Sequence, residues 1–362
     1  MDFGLLTIPL VTLAMAFGFA VFTDTQTIHF DYVDVPDSIS QETGLTPAVV
    51  ITKLADDMQE IERQAFTKAE ARQVELHADQ SATSVLGEYL GVTPLIRVVQ
   101  ESAHMIPFTF SGEIVRHDQQ VEFILRSYDS HHNKTRISRN GTVDDMKGLI
   151  HGAAYEAMRV VNPYILAAYQ FKRDRLSRDF TPTLEILRRE LEGHDSRYAP
   201  WLHNLWGMVL YQQNDRHGAI HQFEEAVHLD PNFLSPRLNL GVVNARLGEY
   251  DLAVKNFTAV VQHPNVAQSP AVKAAALSEW GFTLALTGQI DEAYAKFDEA
   301  SRADQNFSDV YSSWAEVLSA QGRREEAERM TAKALKLAPK EVVYTENLIG
   351  TVQNVPATAS MN

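Results

Sequence analysis

The sequence predicts an α+β domain followed by an all-α solenoid of helix pairs, preceded by one transmembrane helix. Three observations carry this reading. Small and aromatic residues recur through the second half with a spacing of 34 residues. Before them, short alternating apolar stretches stand between helical ones. At the start, 19 residues pass without a charge. The divisions that follow are a transmembrane signal anchor over 1–24, the α+β domain over 25–163, and a helical cap or degenerate repeat over 164–199. Four repeat units then occupy 200–339, and a capping helix with a tail occupies 340–362.

The uncharged stretch runs from Gly4 to Phe22 and is mostly Leu, Ala, Phe, Val and Ile. Its length is close to the roughly 20 residues that span a hydrocarbon core as a helix. A cleaved signal peptide is the competing reading, with Gly18 and Ala20 as the small residues before the cut. The run exceeds the roughly 7–15 residues of a signal core, and Asp2 stands at the tip where Lys or Arg is usual. An uncleaved anchor is therefore the expectation. No Lys or Arg precedes Lys53, so the positive-inside rule has nothing to count. A short tail before the span and a large body behind it favour an exported body, periplasmic in a Gram-negative bacterium. Ala14 and Gly18 lie four apart, as do Ala16 and Ala20, a spacing that lets a second helix approach closely in lipid.

Thr27 to Val35 reads as a strand. Thr46-Pro47 opens a helix whose Val50, Leu54, Met58 and Ile61 share one face, continuing to about Ala78. Two shorter helices follow, around Val85 to Leu90 and after Thr93-Pro94. Phe108, Phe110 and Ile114 mark one face of a second strand, His117-Asp118 a turn, and Val121, Phe123 and Leu125 the returning strand. A third strand covers Lys134 to Ser138. Asn140-Gly141 turns the chain, and Thr142 caps a helix that buries Met146, Leu149, Ile150, Ala153 and Ala157 and stops before Pro163. In its order of elements alone, this domain is similar to the amino-terminal domain of TolB.

In the second half Gly207, Gly241, Gly281 and Ala315 each sit inside an apolar helical stretch, at spacings of 34, 40 and 34 residues. Twelve residues after each comes an alanine: Ala219, Ala253, Ala293 and Ala327. Four further on stand Phe223, Phe257, Phe297 and Thr331, and three beyond those Ala226, Val260, Ala300 and Ala334. Asn214, Gly248, Gly288 and Gly322 fall between the paired helices, where a residue tolerant of positive φ is wanted. Pro231 and Pro339 close the first and fourth units. This pattern resembles the tetratricopeptide repeat, antiparallel helix pairs stacked into a superhelix. The six extra residues between the second and third units, within Asn265 to Lys273, read as a longer loop or a bend. Tyr164 to Arg175 and Thr183 to Leu191 form the amino-terminal cap, with Thr181-Pro182 as a helix start. Glu341 to Ile349 forms the opposite cap.

Chemistry of other kinds is not indicated. The net charge is −15 with no run of basic residues, which speaks against nucleic acid, since phosphate contacts need clustered Lys and Arg. The absence of cysteine excludes disulfides, thiolate catalysis and cysteine-ligated metals. No glycine-rich phosphate loop, HExxH or GxSxG occurs. His131 and His132 are adjacent and would point to opposite faces of a strand end, a poor pair of metal ligands. No catalytic residue, metal or cofactor is expected.

The resemblance implies a protein partner held on a concave face lined by the first helix of each unit. In register, that face takes Trp201, Asn204, Met208 and Tyr211 from the first unit and Leu238, Val242 and Arg246 from the second. Ser278 and Phe282 come from the third, then Asp309, Ser312 and Glu316 from the fourth. Part of this set is expected to pack against neighbours. The lysine and asparagine set with which some members clamp a carboxylate is out of register, and of an asparagine ladder only Asn239 appears. The face runs from aromatic to acidic, suiting amphipathic or basic segments. The function expected is a membrane-anchored scaffold or assembly factor. The alternative is an envelope sensor or hydrolase whose α+β domain binds a small ligand, with the repeats used for oligomerisation.

Overall fold

A computed structural model describes residues 28–65, 108–129, 133–192 and 197–337. The expected anchor at 4–22, with Ala14 and Gly18, lies outside the described residues, as do the helices beyond Ala65, His131 and His132, and the carboxy-terminal cap. No described helix is long and apolar enough to cross a membrane.

The α+β unit is a four-stranded sheet in the order β1-β2-β3-β4. Strand β1 (Ile28–Asp34) pairs in parallel with β2 (Phe108–His117), with Phe30 opposite Phe110 and their rings stacked at 5.6 Å. Strands β2, β3 (Gln120–Asp129) and β4 (Lys134–Thr142) form an antiparallel meander. The β2–β3 turn holds Asp118 at φ 55, as the His117-Asp118 reading requires.

Between β1 and β2 stand α1 (Asp37–Thr43), a short helix the sequence reading omitted, and α2 (Pro47–Ala65). Helix α2 and α3 (Met146–Val161) pack on each other; α2 reaches β1, and α3 reaches β3 and β4. The predicted stripes are the buried ones. Val50, Leu54, Met58 and Ile61 of α2 and Leu149, Ile150, Ala153 and Ala157 of α3 are essentially out of solvent, as are Phe110, Ile114, Val121, Phe123 and Leu125 of the sheet.

Two local readings are corrected. Asn140-Gly141 does not turn the chain: both residues remain in β4, opposite Glu122 and Val121. The glycine lets α3 pack closely there, since a Cβ on Gly141 would come to 3.2 Å from the Leu149 side chain. The helix cap is Asp145 instead of Thr142, its carboxylate accepting the Gly148 amide at 3.0 Å. Asn162 then separates α3 from α4 (Pro163–Ser177) and accepts the Ile165 amide at 3.1 Å. The chain divides into two compact units between Tyr169 and Gln170, inside α4 and six residues later than the Pro163 boundary expected.

In the second unit, α5 (Thr181–Glu192) is held at its start by buried Asp174, whose Oδ2 accepts from the Thr183 amide at 2.9 Å and hydroxyl at 2.6 Å. The four pairs follow: α6 (Ala199–Gln212) with α7 (Arg216–Leu229), α8 (Leu234–Arg246) with α9 (Tyr250–Val261), α10 (Pro270–Leu286) with α11 (Ile290–Ala303), and α12 (Ser308–Ala320) with α13 (Arg324–Leu337). Asn214, Gly248, Gly288 and Gly322 take φ between 65 and 82 at the hairpin turns, as predicted. The extra residues after the second unit form a 3-10 turn, Pro264–Gln268, and lengthen α10 to 17 residues.

Candidate protein-binding face of the helical array

The face is set by how closely paired helices can approach. At Gly207 a Cβ would lie 2.5 Å from the Phe223 ring, and at Gly241 it would lie 2.4 Å from the Phe257 ring. Bare backbone at these positions therefore lets each second-helix phenylalanine seat against its own first helix, with Phe223, Phe257 and Phe297 fully buried. First helices then meet one another along the array: α6 with α8, α8 with α10, and α10 with α12.

Sequence register placed twelve residues on this row, and packing divides them. Asn204, Met208, Leu238, Val242 and Ser278 are at most 4% exposed, so they belong to the interior and cannot be reached by a partner. Asn204 and Asn239 meet there, the Asn239 amide donating to Asn204 Oδ1 at 2.9 Å. Trp201 is half-buried and packs its ring against Phe233 at 5.8 Å. Tyr211 is half-buried at the far end of α6.

The rest gather where α8, α10 and α12 adjoin. Arg246, Phe282, Asp309, Ser312 and Glu316 all retain partial exposure. The Arg246 guanidinium lies over the Phe282 ring at 5.5 Å, a cation–π contact. Within reach of the Arg246 charge, on the same helix as Phe282, stands a residue the sequence reading missed, Glu279, only 4% exposed. Burial pushes its carboxyl up to about 7; the Arg246 charge opposes that, and those of Asp309 and Glu316 add to it. Burial likewise raises Glu316, against the pull of Arg246. A signal for Glu279 was present, since it stands two residues before Gly281 as Asn239 does before Gly241. At this position both side chains are polar and both are buried.

In the α+β unit, a depression of about 600 Å³ is lined by Pro36, Ser38, Arg116, Asp118 and Gln119. Arg116 there already donates to Glu42 and to the Asp118 carbonyl, each at 2.7 Å. Among the described residues no three His, Asp or Glu side chains come together so as to hold a metal ion.

No protein-family model matches the chain, and no curated protein matches it. Several solved structures do. MamA from Desulfovibrio magneticus RS-1 is 19% identical, over 49% of this chain and 95% of that one, at a TM-score of 0.37. Another MamA structure is 19% identical over 46% of this chain and 93% of its own, at 0.35. YrrB, described as a TPR protein with an unusual peptide-binding site, is 21% identical over 52% of this chain and 95% of its own, at 0.33. Scores of this size transfer neither partner nor site to the present protein.

Proposed function

We propose that this chain is a scaffold of the tetratricopeptide type, anchored to a membrane by residues 4–22, which recruits or assembles proteins through the row of first helices. Its body is extracytoplasmic, which in a Gram-negative bacterium would be the periplasm. The observation that carries the reading is the patch on α8, α10 and α12. There Arg246, Phe282, Asp309, Ser312 and Glu316 remain partly exposed, although neighbouring positions of the same helices are fully buried. An aromatic ring, a guanidinium and carboxylates that stay partly exposed are the kinds of side chain from which interface anchors are made.

The test is recovery of partners from detergent-solubilised membranes by the full chain and by its Arg246→Ala/Phe282→Ala variant. Reduced recovery with unchanged helical circular dichroism supports the face. Equal recovery from an equally folded variant moves the binding site elsewhere. The anchor is tested separately: the chain should pellet with membranes and resist alkaline carbonate. A soluble protein beginning near Val21 would establish the cleaved-signal reading instead.

A further inference from the structure

The two outer strands of the four-stranded sheet carry opposite charge. Among the described residues β1 and β4 each pair on one side only, since the sheet runs β1-β2-β3-β4. Strand β4 holds Lys134, Arg136 and Arg139 and no acid, in a chain with 32 basic residues against 47 acidic ones. Strand β1 holds Asp31 and Asp34 and no Lys or Arg. Asp31, Tyr32, Asp34, Lys134 and Arg136 are all exposed, Tyr32 at 58%. Asp31 meets His29 at 3.2 Å, Arg136 meets Glu122 at 3.3 Å, and Arg139 meets Glu156 at 2.7 Å. Among the described residues Asp34 and Lys134 form no salt bridge, and Lys134 lies over the Tyr128 ring at 5.5 Å.

Charge on an exposed edge ordinarily keeps other strands away. It does so only against a strand of the same sign, and here the two edges differ. Two β4 edges brought together would set cations against cations, and two β1 edges acids against acids. A β4 edge and a β1 edge attract. Topology makes that pairing feasible. Strand β1 runs parallel to β2, and β3 is antiparallel to both β2 and β4, so β1 and β4 point the same way. A second copy shifted sideways without turning over therefore lays its β1 parallel to β4. The helices α2 and α3 of both copies then stay on one side. Ladder pairing places Tyr32 in one row with Ser111, Arg126 and Arg136, on the face opposite Phe110 and Phe123. Asp34 and Lys134, each two residues along its strand, share that face. With Asp34 set beside Arg136, Tyr32 falls beside Lys134 and offers it a second ring like that of Tyr128.

We propose that β4 of one copy pairs with β1 of a second copy of this chain, extending the sheet in a head-to-tail row. This contact is independent of the binding face assigned above. Its test is sedimentation velocity of the full chain in detergent micelles, for the parent and for D31K/D34K and K134E/R136E, with circular dichroism to confirm the fold. The parent should form oligomers that grow with protein concentration and shrink between about 0.05 M and about 0.5 M salt. Each variant carries like charge on both edges, so its self-association should weaken at least about tenfold. Mixing the two variants should restore it, because their edges are complementary again. The single substitutions D34K and K134E, at positions without a salt bridge, take the place of any double variant that loses helical signal. A parent that is monomeric throughout, variants that associate as the parent does, or a mixture that stays monomeric overturns the proposal. Oligomers lost on F282A and untouched by edge charge would assign self-association to the helical array and overturn it equally.

Discussion

Replacing Glu279 by Gln should make the helical array more stable, and by an amount that grows with pH. Gln keeps the shape of the side chain and removes its titration. An ordinary glutamate titrates near 4.5, and burial pushes Glu279 up to about 7, a gap equivalent to roughly 3 kcal/mol. The sign follows from which state holds the proton. Between 4.5 and 7 the folded chain keeps it and the unfolded chain has released it, so stability present below about pH 4.5 is lost as pH rises through 7. The groups facing Glu279 are Arg246 on α8 and Asp309 and Glu316 on α12. On α11, Lys296 is occupied with the Trp280 ring at 4.4 Å and with Glu299 at 2.9 Å. The variant should therefore be nearly neutral in acid and gain on the order of 2–3 kcal/mol by pH 8.

The assay is unusually clean, because all four tryptophans, Trp201, Trp206, Trp280 and Trp314, lie in the array. Urea unfolding followed by tryptophan emission thus reports on the array and is blind to the α+β unit. Midpoints for parent and variant should diverge between pH 5 and 8 at unchanged slope. A difference that stays constant over that range would show that burial does not govern this carboxyl, and with it the account of Glu279 as an unpaired interior acid would be refuted.

Four further outcomes are expected. Ala253→Arg places a long charged side chain at a position with no exposed surface. It should cost roughly 3 kcal/mol or more in the same urea assay, and a parent-like midpoint would show that the repeat register is wrong. Gly241→Ala brings a methyl to 2.4 Å from the Phe257 ring and should cost about 1–3 kcal/mol. Gly248→Ala meets no neighbouring atom but adopts φ +80, so it should cost about 1 kcal/mol through backbone strain alone. Asp174→Ala removes the acceptor of both the Thr183 amide and hydroxyl. It should cost about 1–3 kcal/mol, read as an earlier loss of helical circular dichroism on heating.

What could be read from the sequence was whatever depends on a period. The 34-residue spacing of Gly207 and Gly241 and the phenylalanines sixteen residues after each were sufficient for the helix pairs. They were sufficient because one steric requirement, bare backbone against a ring, repeats with the unit. The stripe Val50, Leu54, Met58 and Ile61 likewise placed α2 and its buried face. Signals of a single residue did worse. Asn140-Gly141 has the composition of a turn, yet it continues β4 because the packing of α3 over Gly141 outweighs local preference. The Thr142 cap lost to Asp145 for a related reason: any of several polar residues near a helix start can supply the acceptor, and the one used depends on where the preceding strand ends.

The proposed binding face shows where such reading stops. Periodicity assigns a direction around one helix, and in an array the same direction means different surroundings at different heights. Ser278 and Phe282 are one turn apart on α10, yet the first is sealed between helices and the second is half-exposed. Met208 and Tyr211 on α6 separate in the same way. The unit-to-unit contact of first helices decides, and that contact changes where α10 is extended to 17 residues, against 13 for α8 and α12. The longer α10 starts after the 3-10 turn that absorbs the insertion. It also carries both the buried Glu279 and the half-exposed Phe282. The irregular spacing in an otherwise regular repeat thus coincides with a helix on which Ser278 Oγ and Trp280 Nε1 are buried without a hydrogen-bond partner near the partly exposed Phe282 ring. A departure from periodicity at that helix is where a partner's requirements, instead of the solenoid's own, would be written into the sequence.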